Sequence, residues 1–327
     1  MKERRKRNMS RTGLLFMFCL LMLCGCAQIT GFMENTEVSG REVESLAAEK
    51  EDDTVLLGGM PVGIYMETDG VLVLDTEKMT GMDGKEYTPA QGVVSSGDYI
   101  TEVNHQKIEG KKQLMDLVEH LDGEKVLLTV RRENTILEKK LTPVQISKGN
   151  YRLGIWVRDN VQGLGTITFL TKNNRFAALG HGIHDIDTST LLTIKRGTLY
   201  RTSIQKVQKG SKGNPGTMEG IIVYNRFHRL GVIEKNTDAG IYGELNSDRS
   251  WIGEEVPIQV AKKEEIKTGE ARIRCYIDGE VKEYTICITQ IDKESDQVNK
   301  GMIIQVTDTE LLEKTGGIIQ GMSGSPI

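Results

Sequence analysis

The chain has 327 residues, 38% of them apolar, and a formal net charge of −4; this allows two ordinary domains with packed cores and gives no electrostatic reason to expect nucleic acid. Thirty-six glycines against six prolines, among many Val, Ile and Thr, point to short strands and tight turns, a mostly β protein. Of five cysteines, three crowd at Cys19, Cys24 and Cys26, and the remaining pair, Cys275 and Cys287, excludes both a disulfide scaffold and a C-x-x-C metal site.

MKERRKRNMSR at the N-terminus is strongly basic, and the run from Gly13 to Cys26 is apolar. That is the layout of an export signal, and the run is shorter than the roughly 20 residues that span a bilayer. Residues 1–27 therefore read as a signal peptide or membrane anchor. Leu23–Cys26 also has the form of a lipobox with Cys26 as the acylated residue, and an uncleaved anchor stands beside that reading. Both place the rest of the chain outside the cytoplasm and at a membrane. Residues 28–53 are polar, end in AAEKEDD, and read as a linker, with order from Thr54.

Residues 54–146 read as one unit. Two alternating apolar stretches flank Asp69-Gly70, a hairpin or bulge signal. Gly97–Ile108 gives turn, strand and turn. Leu114, Leu117, Val118 and Leu121 mark one face of a helix over Lys111–Leu121. Two strands follow. This order resembles a PDZ domain, with G-D-Y-I-T-E-V-N-H near its G-D-x-I-x-x-V-N-G motif and His105 in place of the last Gly. By that resemblance Pro61, Val62, Gly63 and Ile64 form the loop that receives a peptide carboxylate, and the peptide pairs with the adjacent sheet edge.

Residues 150–327 hold many short apolar runs separated by Gly, Asn and Asp, which suggest a β barrel or sandwich, with a helical turn only at Thr309–Lys314. Asp278-Gly279 as a two-residue turn sets Cys275 opposite Lys282, so no disulfide to Cys287 is expected.

Chemistry concentrates in two loops. His181 stands between Gly180 and Gly182 after an apolar stretch, a place where a base is accessible. His184, Asp185 and Asp187 add a metal-site alternative, but H-x-x-H-D without a helix or a remote ligand is weak; the two aspartates fit turn capping, and no metal or other cofactor is expected. In Gly321-Met322-Ser323-Gly324-Ser325-Pro326 a serine hydroxyl needs a base and N–H donors for the oxyanion. The amides of Gly321 and Ser323 are the candidate oxyanion hole, and Ser323 is preferred to its rival Ser325. Asp308 is the candidate for orienting the base, with Asp159, Asp187 and Asp238 as alternatives.

The leader, the PDZ-like unit, Y-R-L-G-I-W-V-R-D-N, G-L-G-T-I-T-F, A-L-G-H-G-I-H-D-I-D-T and the serine loop together resemble the stage IV sporulation protein B (SpoIVB) serine peptidase family. The resemblance implies a chymotrypsin-like double β-barrel after the PDZ domain, and a triad of His181, Asp308 and Ser323. It implies an endopeptidase of endospore formation, located between the two membranes around the forespore. Such an enzyme cleaves itself and a membrane-bound regulator, and so triggers an intramembrane metalloprotease that matures a late mother-cell sigma factor. Family members continue past the serine loop, so the second barrel is expected to be incomplete here. The alternative is a PDZ adaptor with an inactive peptidase unit.

Overall fold

The structure, a computed structural model, describes residues 54–252, 255–295 and 300–327; the leader and linker expected over residues 1–53 lie outside the described residues. The elements are β1 (Thr54–Leu57), β2 (Pro61–Thr76), β3 (Tyr99–Val103), α1 (Lys111–Glu119), β4 (Val126–Arg132), β5 (Thr135–Leu141), β6 (Val144–Ser147), β7 (Asn150–Arg152) and β8 (Ile155–Leu170). They continue with β9 (Arg175–Ala178), β10 (Ile194–Tyr200), β11 (Thr202–Gln208), β12 (Thr217–Ile222), β13 (Arg229–Thr237) and β14 (Gly240–Leu245). Last come β15 (Pro257–Gln259), β16 (Gly269–Ile277), β17 (Glu280–Ile291), β18 (Met302–Val306) and α2 (Thr309–Thr315). A few two-residue strand pieces and two short 3-10 helices, Arg226–His228 and Lys263–Glu265, complete the set among the described residues. The protein is mostly β, as expected.

Six strands close a barrel. β2, β8, β9, β14, β13 and β10 pair antiparallel in that order, and β10 returns to β2. Alternate residues fill it: Val62, Ile64 and Met66 from β2 meet Ile167, Leu199 and Ile233.

β2 and β8 are too long to serve one body. Glu67 pairs with Asn160 and Leu72 with Arg158, so residues 68–71 oppose Asp159 alone. Gly70 lies there at φ +91, and a Cβ on it would meet the Ile100 carbonyl oxygen at 2.8 Å. Asp69-Gly70 therefore makes a bulge, and both strands run on into a PDZ-like lobe. There β2 pairs with β3, β3 with β4 and β4 with β5. Leu114 of α1 is buried among Val71, Val73, Ile100, Leu128 and Val130, and Leu117, Val118 and Leu121 pack on the same core as their spacing requires. The limits differ from the expected 54–146. Leu56, Met60, Val62, Ile64 and Met66 are barrel core, while Leu153, Ile155 and Val157 belong to the lobe. Two strands that pass through both bodies leave no linker to mark the boundary.

The third body comprises the β11–β12 hairpin and the β16–β17–β18 sheet around Ile273, Cys275, Ile277, Tyr284, Ile286 and Leu311. Among the described residues these two pieces remain separate sheets. Cys275 stands opposite Lys282 and Cys287 opposite Glu270, and both thiols are free. Burial, with the Asp308 carboxylate adding to it, pushes the Cys275 thiol up to about 12.

Candidate active site

His181 sits on the loop that leaves β9. The chain turns out of the barrel at Leu179 and Gly180, with φ of +74 and +68. A buried leucine in the left-handed region costs on the order of 1–3 kcal/mol and persists only where its surroundings fix it. Here the Leu179 N–H donates to the Thr166 carbonyl at 3.1 Å, and its side chain occupies the space beside Gly165. Further along, Asn236 Oδ1 accepts the Ile183 N–H at 2.9 Å, and Nδ2 donates to the carbonyls of Ile183 and Leu192. The Gly182 N–H donates to the Asp238 carbonyl at 3.2 Å. The histidine loop is thus pinned to the β13–β14 turn.

His181 Nδ1 lies 2.9 Å from the Gly182 carbonyl oxygen. A carbonyl only accepts, so Nδ1 carries the proton of the neutral ring and Nε2 keeps its lone pair, the tautomer a general base needs. His184 Nδ1 shares that carbonyl at 3.2 Å, and its Nε2 is 3.7 Å from Asp238 Oδ1.

Ser323 lies at the seam between the barrel and the third body. On one side the Met218 N–H donates to the Gln320 carbonyl, the Arg274 N–H donates to the Pro326 carbonyl, and Met322 is buried in the third-body core. On the other side Thr166 holds the loop. Its N–H donates to the Ser323 carbonyl at 3.1 Å, and its buried hydroxyl donates to the Gly321 carbonyl at 2.9 Å. Since the Thr166 carbonyl also accepts from Leu179, one residue of the G-T-I-T-F run ties the serine loop to the histidine loop. Gly324 permits that approach. Its φ is +94, and a Cβ would lie 2.4 Å from the Thr166 oxygen and 2.5 Å from the Leu179 nitrogen.

Among the described residues the Gly321 and Ser323 amides donate no hydrogen bond, whereas the neighbouring Met322 and Ser325 amides donate to the carbonyls of Ile319 and Met322. Two unspent donors beside a partly exposed serine are what an oxyanion requires. Ser325 Oγ is buried and has no hydrogen-bond partner among the described residues, so the rival hydroxyl, on a half-buried residue, does not face solvent.

The candidate carboxylates separate cleanly. Asp308 caps α2: its carboxylate accepts the Leu311 N–H at 3.1 Å and the Thr285 N–H at 3.3 Å. Asp308, expected to face His181, is held instead in the corner of β17 and α2, and the contact of His181 Nδ1 is with the Gly182 carbonyl. Asp159 accepts the Lys111 N–H at 2.7 Å and caps α1, whose own cap, Gly110, has no side chain to offer. Asp185 accepts the N–H groups of Asp187 and Thr188 at 3.0 Å, the turn capping expected of it, and turns its other oxygen to Arg158. Asp187 also binds Arg158, at 2.9 Å. Asp238 Oδ1 faces His184 Nε2 rather than His181, with a side chain 72% exposed.

The carboxylate-binding loop needs correction. Pro61, Val62, Gly63 and Ile64 lie within β2, paired to β8 on one side, with Gly63 and Ile64 paired to β10 on the other. Val62 and Ile64 are buried, and a Cβ on Gly63 would meet Ile222 at 2.6 Å. Among the described residues, Gly63 and Ile64 thus present no open edge. Instead α1 packs beside β7 and β8, and over Ile155–Arg158 β8 has, among the described residues, a strand neighbour only on its β2 side. The turn into that edge is Gly154, at φ +68. The signal was present in Leu153-Gly154-Ile155, which repeats the pattern of Val62-Gly63-Ile64. Only strand pairing separates the two.

A family model described as SpoIVB peptidase S55 matches residues 149–327. The chain is 28% identical over 180 residues to a "Putative zinc metalloprotease" of Helicobacter pylori (strain J99 / ATCC 700824), which covers 48% of this chain and 50% of that protein. The chain thus spans half the length of the curated relative it matches. Among solved structures, the PDZ domain of the SdrC-like protein from Listeria monocytogenes aligns at 24% identity with a TM-score of 0.22, over 27% of this chain and 87% of that one. The match over residues 149–327 takes in five of the six barrel strands, all but β2, with the histidine loop and the serine loop, and by it the chain belongs to the SpoIVB peptidase S55 family.

Proposed function

We propose that this chain is an exported serine endopeptidase. Ser323 Oγ attacks the scissile carbonyl, His181 Nε2 takes its proton and returns it to the leaving amine, and the Gly321 and Ser323 amides hold the oxyanion. The observation that carries the reading is the joint anchoring of both loops by Thr166, with two amides left undonated beside a partly exposed serine. The edge Ile155–Arg158 beside α1 takes an extended peptide by strand addition. The substrates are proteins or peptides, among them the chain itself and a membrane-bound regulator of an intramembrane metalloprotease. The enzyme works outside the cytoplasm, held at the membrane by its N-terminal segment, and between the forespore membranes during sporulation, upstream of the maturation of a late mother-cell sigma factor.

The test is Ser323→Ala. Wild-type protein should take one fluorophosphonate per chain and cleave itself or a partner peptide, and the folded variant should do neither. Retained cleavage in folded Ser323→Ala removes Ser323 from the mechanism, and absence of labelling in the wild type favours the peptide-binding adaptor.

A further inference from the structure

Arg158 joins two parts of the molecule that strand pairing alone leaves separate. It sits on β8 at the lobe end of the bulge, paired with Leu72. Its guanidinium reaches across to the histidine loop, where one nitrogen binds Asp185 and the other binds Asp187 at 2.9 Å. Asp185 organises that loop. Its side chain is fully buried, its second oxygen accepts two backbone N–H groups, its own N–H donates to the Thr190 carbonyl, and its carbonyl accepts the Ser189 N–H. The residue before it, His184, forms a bridge to Leu191.

The neighbours of Arg158 face the lobe. Ile155 and Val157 pack on its core, and Asp159 caps α1 through the Lys111 N–H at 2.7 Å. One strand segment therefore supplies the exposed edge beside α1, the cap of α1 and the cation that fixes the histidine loop. A buried carboxylate that loses its cation is strongly destabilised where it stands. The loop would be driven to expose Asp185 to water, and His181 would move with it.

We infer that Arg158 is a positioning residue: through Asp185 it sets the His181 loop, and it makes that setting depend on the α1 lobe. This rests on the serine peptidase reading above. It concerns neither the nucleophile nor the base, and it predicts control of the rate by a part of the molecule remote from the serine.

The test uses the full chain and a fluorophosphonate probe, with the maximal labelling rate, the probe concentration at half-maximal rate and the final stoichiometry measured separately. Arg158→Gln should lower the maximal rate roughly 10- to 100-fold, the scale of a misplaced catalytic group. The half-maximal concentration should hold, and Arg158→Lys should recover part of the rate. A merely structural role would lower stoichiometry or melting temperature and leave the rate of the folded fraction unchanged, and that result overturns the inference. Asp159→Ala reports on the route. Its slowing of labelling should vanish in an Arg158→Gln background, and fully additive effects would also overturn the inference. If Arg158→Gln does not fold, Arg158→Lys and Asp159→Ala decide: a wild-type rate constant in folded Arg158→Lys, together with no effect of Asp159→Ala, is the overturning result. Failure of wild-type labelling sinks the peptidase reading itself, whereas normal labelling with an indifferent Arg158 sinks only this one.

Discussion

Replacing Thr166 by valine keeps the shape of a β-branched side chain and removes one hydroxyl. In the structure that hydroxyl is buried and makes a single hydrogen bond, to the Gly321 carbonyl at 2.9 Å. The loss has two parts, the net value of the bond and the cost of a carbonyl left without its partner, together about 2 kcal/mol. For a domain of this size that is a fall in melting temperature of roughly 4–8 °C. The effect on rate comes from position. The peptide unit held by Thr166 lies between the two that carry the Gly321 and Ser323 amides, so releasing it misaims both donors. Removing one oxyanion donor outright costs on the order of 100- to 1,000-fold; misaiming should cost roughly 10- to 100-fold in kcat. Thermal melting and fluorophosphonate labelling of Thr166→Val, beside Thr166→Ser as the variant that retains the hydroxyl, separate the two effects. Folded Thr166→Val that labels at the wild-type rate would refute the claim that Thr166 sets the oxyanion hole.

Two other substitutions test neighbouring assignments. Asp308→Ala should cost about 1 kcal/mol, the usual value of a helix N-cap, and leave labelling of Ser323 within a few-fold; a loss approaching 10⁴-fold without destabilisation would restore Asp308 to a triad. Cys275 gives a pH dependence. Its thiol is raised from 9.0 to about 12 in the folded protein, so the native state keeps a proton that the unfolded chain releases. The stability tied to this group is fully present below pH 9.0 and is lost as pH rises from there toward about 12, by at most about 1.4 kcal/mol per pH unit. Urea midpoints across that range should fall less steeply in Cys275→Ala than in the wild type, and parallel slopes would show that the thiol is not shielded in the native state.

Local patterns were legible in the sequence wherever one residue's conformation decided the matter. The i, i+3, i+4 spacing from Leu114 to Leu121 marked the face of α1. Asp278-Gly279 fixed the β16–β17 register and kept Cys275 from Cys287, and the glycines around Ser323 marked a loop that only their positive φ and missing Cβ allow. The long-range choices were not legible, because equivalent local signals compete and only pairing partners select among them. Val62-Gly63-Ile64 and Leu153-Gly154-Ile155 read alike; Gly63 and Ile64 lie in β2 between two strand neighbours, while Ile155, where β8 begins, has one among the described residues. Four aspartates were candidates to orient the base, and tertiary contacts sent Asp308 and Asp159 to helix caps and Asp187 to Arg158, and set Asp238 beside His184. The sequence by itself determined a mostly β chain with a serine loop and a histidine loop. Only the tertiary structure decided that one threonine holds both loops and that β2 and β8 pass through two bodies, because hydrogen-bond partners distant in sequence exist only once the barrel has closed.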